Sequence, residues 1–110
     1  MSMYQKISNA MKDRNIEAYL DQYHEDFRFI SHQDGSSMDK RAFAEMVGKF
    51  MSSDALQIQD QRCVYENDDI VVAHTIMDFP DGTREAVMTV HKLKDGKIIE
   101  TETGATPISK

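Results

Sequence analysis

Four histidines are the side chains in this sequence best suited to carry a proton near neutral pH, and two of them, His74 and His91, sit in long stretches that alternate apolar and polar residues. Glu100 and Glu102 follow in the next such stretch. A histidine beside a carboxylate is pulled two ways, since the negative charge raises its pKa and burial lowers it, and the balance can fall close to neutrality. With His91 as general acid and base and Glu100 or Glu102 as its orienting partner, such a set would perform proton transfer: isomerisation, dehydration or cyclisation of a small, largely apolar carbonyl compound. His74, Thr89, Ser31 and His32 are candidate polar contacts for a carbonyl or hydroxyl. The alternative is a satisfied polar layer in a half-exposed sheet, with Glu100 and Glu102 facing water. His74, His91 and one glutamate are also the residue types of a two-His-one-carboxylate metal set, but no compact ligand motif accompanies them, and neither metal nor cofactor is expected. Tyr19, a possible ligand contact, and Tyr23 lie on a helical apolar face where tyrosine usually buries its ring and finds one hydrogen bond. Cys63 has no basic residue closer than Arg62, whose side chain points to the other face, so a reactive thiolate is not expected.

The chain that must position these groups has 110 residues, 13 Lys plus Arg against 19 Asp plus Glu, and a net charge of −6. That length holds one domain, spanning residues 1–110. The acidic balance disfavours nucleic acid and anionic membrane as partners. The longest apolar run, Ile70 to Ala73, is far short of the ~20 residues of a membrane span, so a soluble, cytoplasmic protein is expected. A single cysteine permits no internal disulfide, in keeping with a reducing compartment. Eight methionines reflect either a drifted core composition or an adaptable pocket.

Tyr4, Ile7, Ala10 and Met11 fall at helical spacing, and so do Ile16, Tyr19, Leu20 and Tyr23 after a cap signal at Asp13–Asn15. The segment Asp26–Ser31 then alternates as a strand with Phe27, Phe29 and Ser31 on one face, and Gln33-Asp34-Gly35-Ser36 reads as a turn. Ser37 or Asp39 can cap a third helix running through Met51, with Phe43, Met46, Val47 and Phe50 as its apolar stripe. Turn signals at Asn67-Asp68, Asp81-Gly82 and Asp95-Gly96 divide the rest into four antiparallel strands near residues 55–66, 69–79, 84–94 and 97–105, with a loose tail from Thr106 to Lys110. Three helices followed by a strand meander predict an α+β domain in which helices cover one face of a curved sheet.

Hairpin register decides what shares a face. If Asp81-Gly82 and Asp95-Gly96 are both two-residue turns, His74 pairs with Thr89 and His91 with Glu100, and one face gathers His74, Thr89, His91, Glu100 and Glu102. An Asn67-Asp68 turn adds Gln61, Cys63 and Tyr65 to that face. A slip of one residue would reverse every facing. The opposite face, with Ala73, Thr75, Met77, Ala86, Met88, Val90 and Ile99, is too apolar for water and predicts a homodimer packed sheet against sheet.

The helix pair, the segment Arg14-Asn15-Ile16-Glu17-Ala18-Tyr19-Leu20-Asp21-Gln22-Tyr23-His24-Glu25-Asp26 leading into a strand, the later helix, and the closing strand after Asp95-Gly96-Lys97-Ile98 together resemble the nuclear transport factor 2-like superfamily, in its SnoaL-like and ketosteroid isomerase-like branch. The resemblance implies a cone of curved antiparallel sheet closed by helices around an apolar pocket, commonly dimeric through the outer sheet face. Its members include ketosteroid isomerases, SnoaL-type cyclases, dehydratases, limonene epoxide hydrolases and non-catalytic binding modules, so it implies fold more firmly than activity. Carried over residue by residue, the isomerase pattern is not kept: Ser31 stands at the general-base Asp position with His32 beside it, Ile7 stands at the helix Tyr position, and His91 or Thr89 stands at the late Asp position. Three readings follow: a proton-transfer enzyme built on His91, a non-catalytic module binding a small hydrophobic ligand, and an association module whose dimer face is its function.

Overall fold

The computed structural model describes residues 2–32 and 34–109. The chain runs α1 (Met3–Lys12), α2 (Ile16–Leu20), β1 (Tyr23–Ser31), β2 (Ser37–Asp39), α3 (Lys40–Met51), β3 (Gln57–Glu66), β4 (Ile70–Asp78), β5 (Arg84–Lys94) and β6 (Lys97–Ile108). Each helix starts on a residue that satisfies an orphan backbone donor. Ser2 and Gln5 form a reciprocal capping box at α1, Asn15 accepts from the Ala18 N–H at α2, and Asp39 accepts from the Ala42 N–H at α3. Of the two cap candidates for α3, the aspartate is used. Helix α2 is one turn shorter than its apolar spacing predicts: Tyr23 begins β1 instead, because the Ile98 N–H donates to the Gln22 carbonyl and draws the chain alongside β6.

The six strands form one sheet in the order β2-β1-β6-β5-β4-β3, antiparallel throughout except for the parallel pair β1–β6. The short strand β2 was not apparent from the sequence, and β6 continues through Ile108 where a loose tail was expected. Of the expected turn at 33–36, Gln33 lies outside the described residues, as does Lys110 of the expected tail. The helices lie on one face. Met3 and Ile7 of α1 and Phe43, Val47 and Met51 of α3 close over Tyr23, Phe27, Val71 and Ile98 of the sheet to form the core. Each such buried side chain contributes about 1.5–3 kcal/mol. Rings of Tyr23, Phe27 and Phe43 meet with centroids 4.8–5.1 Å apart.

Arg14 fastens the helical layer. It ends α1 in the left-handed region (φ 52°), and its guanidinium donates to the carbonyls of Met51 (3.2 Å), Ser53 (2.8 Å) and Leu56 (2.6 Å) just past α3. One cation thus satisfies the C-terminal carbonyl region of α3, where positive charge is favoured. No helix among the described residues is long and apolar enough to cross a membrane.

Candidate functional site

Two backbone details decide which side chains meet. Between β4 and β5 the loop is Pro80-Asp81-Gly82, closed by Phe79 N–H to the Thr83 carbonyl (2.8 Å) and Gly82 N–H to the Phe79 carbonyl (3.0 Å), with Gly82 at φ 89°. Three residues in the loop, rather than two, pair Asp78 with Arg84, His74 with Met88 and Val71 with His91. Between β5 and β6, Asp95 (φ 54°) and Gly96 (φ 76°) do form a two-residue turn, and Leu93 pairs with Ile98 as expected. A bulge then follows at Ile99, so Lys92 pairs with Glu100, His91 with Thr101 and Thr89 with Thr103.

Each shift reverses a facing. The expected gathering of His74, His91, Glu100 and Glu102 is therefore corrected: His91 and Thr89 face the helices, while His74, Glu100 and Glu102 stand on the outer face. Glu100 pairs there with Lys92 (3.3 Å). Glu102 approaches His32 Nε2 at 4.0 Å. His32 is itself exposed at the end of β1, its backbone N–H donating to the Thr103 carbonyl, and it is not part of the cavity wall. With His74 and His91 on opposite faces, the two-His-one-carboxylate set is not assembled. A third irregularity, at Val64, splits the trio expected with them: Gln61 and Cys63 pair with Thr75 and Ala73, whereas Tyr65 pairs with Val72 on the outer face. Burial and the nearby Glu66 carboxylate push the Cys63 thiol up, away from a reactive thiolate.

What the concave face does build is a cavity of about 390 Å³ between the sheet and helices α1 and α3. Its roof is Tyr4, Ile7 and Met11 from α1 with Phe43, Met46 and Phe50 from α3. Its floor is polar in an ordered way. The register sets Ser31, Thr103 and Thr89 side by side across β1, β6 and β5, and places Thr101 and His91 in the adjoining row. Burial grades along the strands. Val71 and Ile98 are fully enclosed and His91 is 4% exposed, while Val87, Glu85 and Met77 towards the β4–β5 loop are only half-buried. The cavity therefore has a closed end at His91 and a mouth near Glu85, six residues further along β5 in the reverse direction, or roughly 20 Å by strand rise.

At the closed end His91 Nδ1 lies 2.8 Å from Thr101 Oγ1. Nε2 has no protein partner among the described residues and, since no buried side-chain nitrogen or oxygen among them lacks one, it opens onto the cavity that His91 lines. Burial lowers the imidazole pKa to about 4, so the ring is neutral at pH 7. A neutral ring offers one donor and one acceptor. If Nδ1–H donates to Thr101, Nε2 accepts from the cavity; if the Thr101 hydroxyl donates to Nδ1, Nε2–H donates into it. Thr101, which sequence reasoning missed, replaces the expected glutamate as the orienting partner, and only the bulge at Ile99 conceals it.

Of the other expected contacts, Ser31, Thr89 and Tyr19 do line the cavity. The Tyr23 hydroxyl donates to the Tyr19 hydroxyl (2.8 Å), and burial raises both phenols, which stay protonated. Further wall residues include Gln61, expected on the His91 face, Thr75, expected on the opposite one, and Thr103 and Glu85, which the sequence did not single out. Ser8 donates to Gln61 Oε1 (2.9 Å), which ties α1 to β3 across one side of the cavity.

A SnoaL-like domain model matches residues 4–101 of the chain, which therefore belongs to that family. Solved structures agree on the fold. One is a protein named as a candidate ketosteroid isomerase from Kribbella flavida, with a TM-score of 0.79 at 12% identity over 97% of this chain and 77% of that one. Another is an NTF2-like protein of unknown function from Mesorhizobium loti, with a TM-score of 0.79 at 12% identity over 94% and 87%. A third is an NTF2-like protein of unknown function from Cytophaga hutchinsonii, with a TM-score of 0.76 at 13% identity over 94% and 86%. No curated protein matches the chain.

Proposed function

We propose that the chain binds one small, largely apolar molecule in the concave cavity, with a carbonyl or hydroxyl of that molecule against His91, and that His91 moves a proton on it in an isomerisation, dehydration or cyclisation. The observation that carries this reading is the His91 ring, 4% exposed, whose Nε2 has no protein partner among the described residues and opens onto the closed end of an apolar cavity. An enclosed ring nitrogen gains a hydrogen bond from ligand that water supplies poorly there, which makes it a strong orienting contact. For proton transfer the ring works as a neutral pair with Thr101. Nε2–H polarises a carbonyl in one tautomer, and bare Nε2 accepts a proton from the adjacent carbon in the other. A binding module without turnover is the second reading, favoured by the fact that no carboxylate among the described residues stands against His91 to lift its pKa towards neutrality.

Native mass spectrometry of freshly purified protein tests the cavity, with denaturing analysis identifying whatever is released. His91→Gln then separates the readings: the enzyme loses turnover and retains weakened binding, whereas the binding module has no conversion to lose. An empty protein that takes up no apolar carbonyl compound would refute both.

The same reading includes a homodimer through the outer sheet face, within a cytoplasmic setting that the acidic charge and single cysteine support. The face differs from the sequence expectation, because Ala73, Thr75 and Met77 turn inward. Val72, Ile76, Ala86, Met88 and Val90 remain as an outer apolar strip, with no helix over it among the described residues, and Met88 is 40% exposed. Strands of both signs of charge flank it, Arg62 and Lys92 against Asp60 and Glu102, as a self-complementary patch requires. Light scattering at micromolar concentration should give twice the monomer mass, and Met88→Asp should give the monomer; a wild-type monomer would refute the dimer.

A further inference from the structure

Among the described residues the cavity wall contains two formal charges, Glu85 and Asp34, and no lysine or arginine. The two carboxylates are not equivalent. Asp34 is exposed and engaged in its own turn, where the Ser36 hydroxyl, the Ser36 N–H (2.9 Å) and the Ser31 hydroxyl bond to it and hold its pKa low. Glu85 is half-buried at the mouth, across the strand pair from Met77, and makes no ion pair with a described residue. Its sequence neighbour Arg84 offers no compensation, because that guanidinium faces the other side of the sheet and is bound to Asp78 at 2.5 and 3.0 Å. Beside Glu85 the wall is aromatic, with Phe50 and Phe79 packed edge to face (centroids 5.8 Å). At the far end His91, 4% exposed, opens onto the cavity an Nε2 that no described residue bonds, which independently marks the cavity as a place for a ligand.

Resting on the reading of the cavity as a ligand site, we propose that Glu85 is a specificity-determining residue that filters ligands by charge: the site takes neutral and amine-bearing apolar molecules and rejects carboxylates of the same shape. An anion entering past Glu85 loses water and meets only negative charge, in a region of low dielectric where like charges repel more than in bulk solvent. An ammonium at the mouth meets the Glu85 carboxylate and the faces or edges of two rings, an arrangement that stabilises cations. A neutral molecule pays neither penalty. The closed end by contrast does not distinguish the sign of a ligand's charge, since a neutral imidazole and hydroxyls line it and desolvation penalises either ion alike.

Three naphthalene probes of similar size test this: 2-naphthol, 2-(aminomethyl)naphthalene and 2-naphthoate at pH 7, titrated against protein labelled with ¹³C-methyl methionine. Met11, Met38, Met46 and Met77 report from the cavity wall, and Met88 on the outer face is the internal reference. The naphthol and the amine should move the wall methionines and not Met88, with the naphthoate about tenfold weaker than the naphthol at low ionic strength. Glu85→Gln should bring the naphthoate to within about threefold of the naphthol and weaken the amine, while Asp34→Asn changes the ratios far less. Unchanged methionine spectra in the free variants establish that each is folded. Equal binding of naphthoate and naphthol to the wild type, or ratios that Glu85→Gln leaves untouched, would overturn the charge filter and leave the cavity standing. Wall methionines unmoved by all three probes would overturn the ligand site itself, and the filter with it.

Discussion

The two faces of the sheet carry near-identical chemistry in their sequences and opposite chemistry in space. On the concave face His91 is 4% exposed, bonded to Thr101 and surrounded by hydroxyls, rings and thioethers. On the outer face His74 is half-buried between Arg62 and Met88, and the carboxylates Glu100 and Glu102 stand beside Lys92 and His32. Both histidines come from strands with the same alternation of apolar and polar residues. Which one enters an enclosed cavity is settled by three loop residues at Pro80–Gly82 and one bulge, so the difference between a candidate site and a surface is a matter of phase rather than composition.

The contrast is open to attack at several points. The largest effect should come from the floor of the core: Phe27, 1% exposed, should cost about 3–5 kcal/mol when replaced by Ala, read from urea unfolding. Ile76→Ala on the outer face, measured at a dilution that favours monomer, should cost less than about 1.5 kcal/mol. Equal losses would mean that the outer face is buried against something and that the two faces are not distinct in the way described.

The next effect is pH-dependent. His91 has a folded pKa of about 4 against an ordinary value of 6.5. Between those values the unfolded chain binds the proton and the folded one does not, so stability is full above pH 6.5 and falls as the pH drops towards 4. The total is about 3 kcal/mol. His91→Gln should remove that limb from the difference curve between variant and wild type. A parallel pair of curves would place His91 in contact with water.

Smaller again is Thr101→Val, which leaves the buried Nδ1 without its partner and should cost about 1–3 kcal/mol. Thr103→Val, one row away with its hydroxyl open to the cavity, should cost under about 1 kcal/mol. The smallest effect is expected of Glu100→Gln and Glu102→Gln, under about 0.5 kcal/mol each, with ligand binding unchanged in a calorimetric titration. A loss of binding in either glutamate variant would return the carboxylate to the cavity and overturn the register.

The helices, the caps of α2 and α3 and the four long strands were legible in the sequence because each is specified locally, by Asn15, Asp39 and the apolar stripe of α3, or by Asp95-Gly96. Ser31, Thr89, Tyr19 and His91 were legible as cavity-lining residues for the same reason: each lies on a face whose apolar partners are close in sequence. Thr101 and the exclusion of His74, Glu100 and Glu102 were not. Asp81-Gly82 reads equally as a two-residue turn or as the end of a three-residue loop begun by Pro80, and a bulge leaves no mark in composition. The strand β2 and the parallel docking of β1 on β6 depend on contacts between distant segments, which no local pattern encodes.

The bulge at Ile99 also bears on how such a strand can diverge. Point substitutions between Glu100 and Thr103 adjust either the lining or the exterior, one position at a time. Taking Ile99 into the ladder opposite Lys92 would instead exchange the two sets together, presenting Glu100 and Glu102 to the interior and Thr101 and Thr103 to the exterior, whereas removing Ile99 would leave every pair beyond it unchanged. In this fold a one-residue slip of the ladder rewrites the chemistry of the cavity wholesale, so the bulge in β6 is as much a part of its ligand preference as the residues it carries.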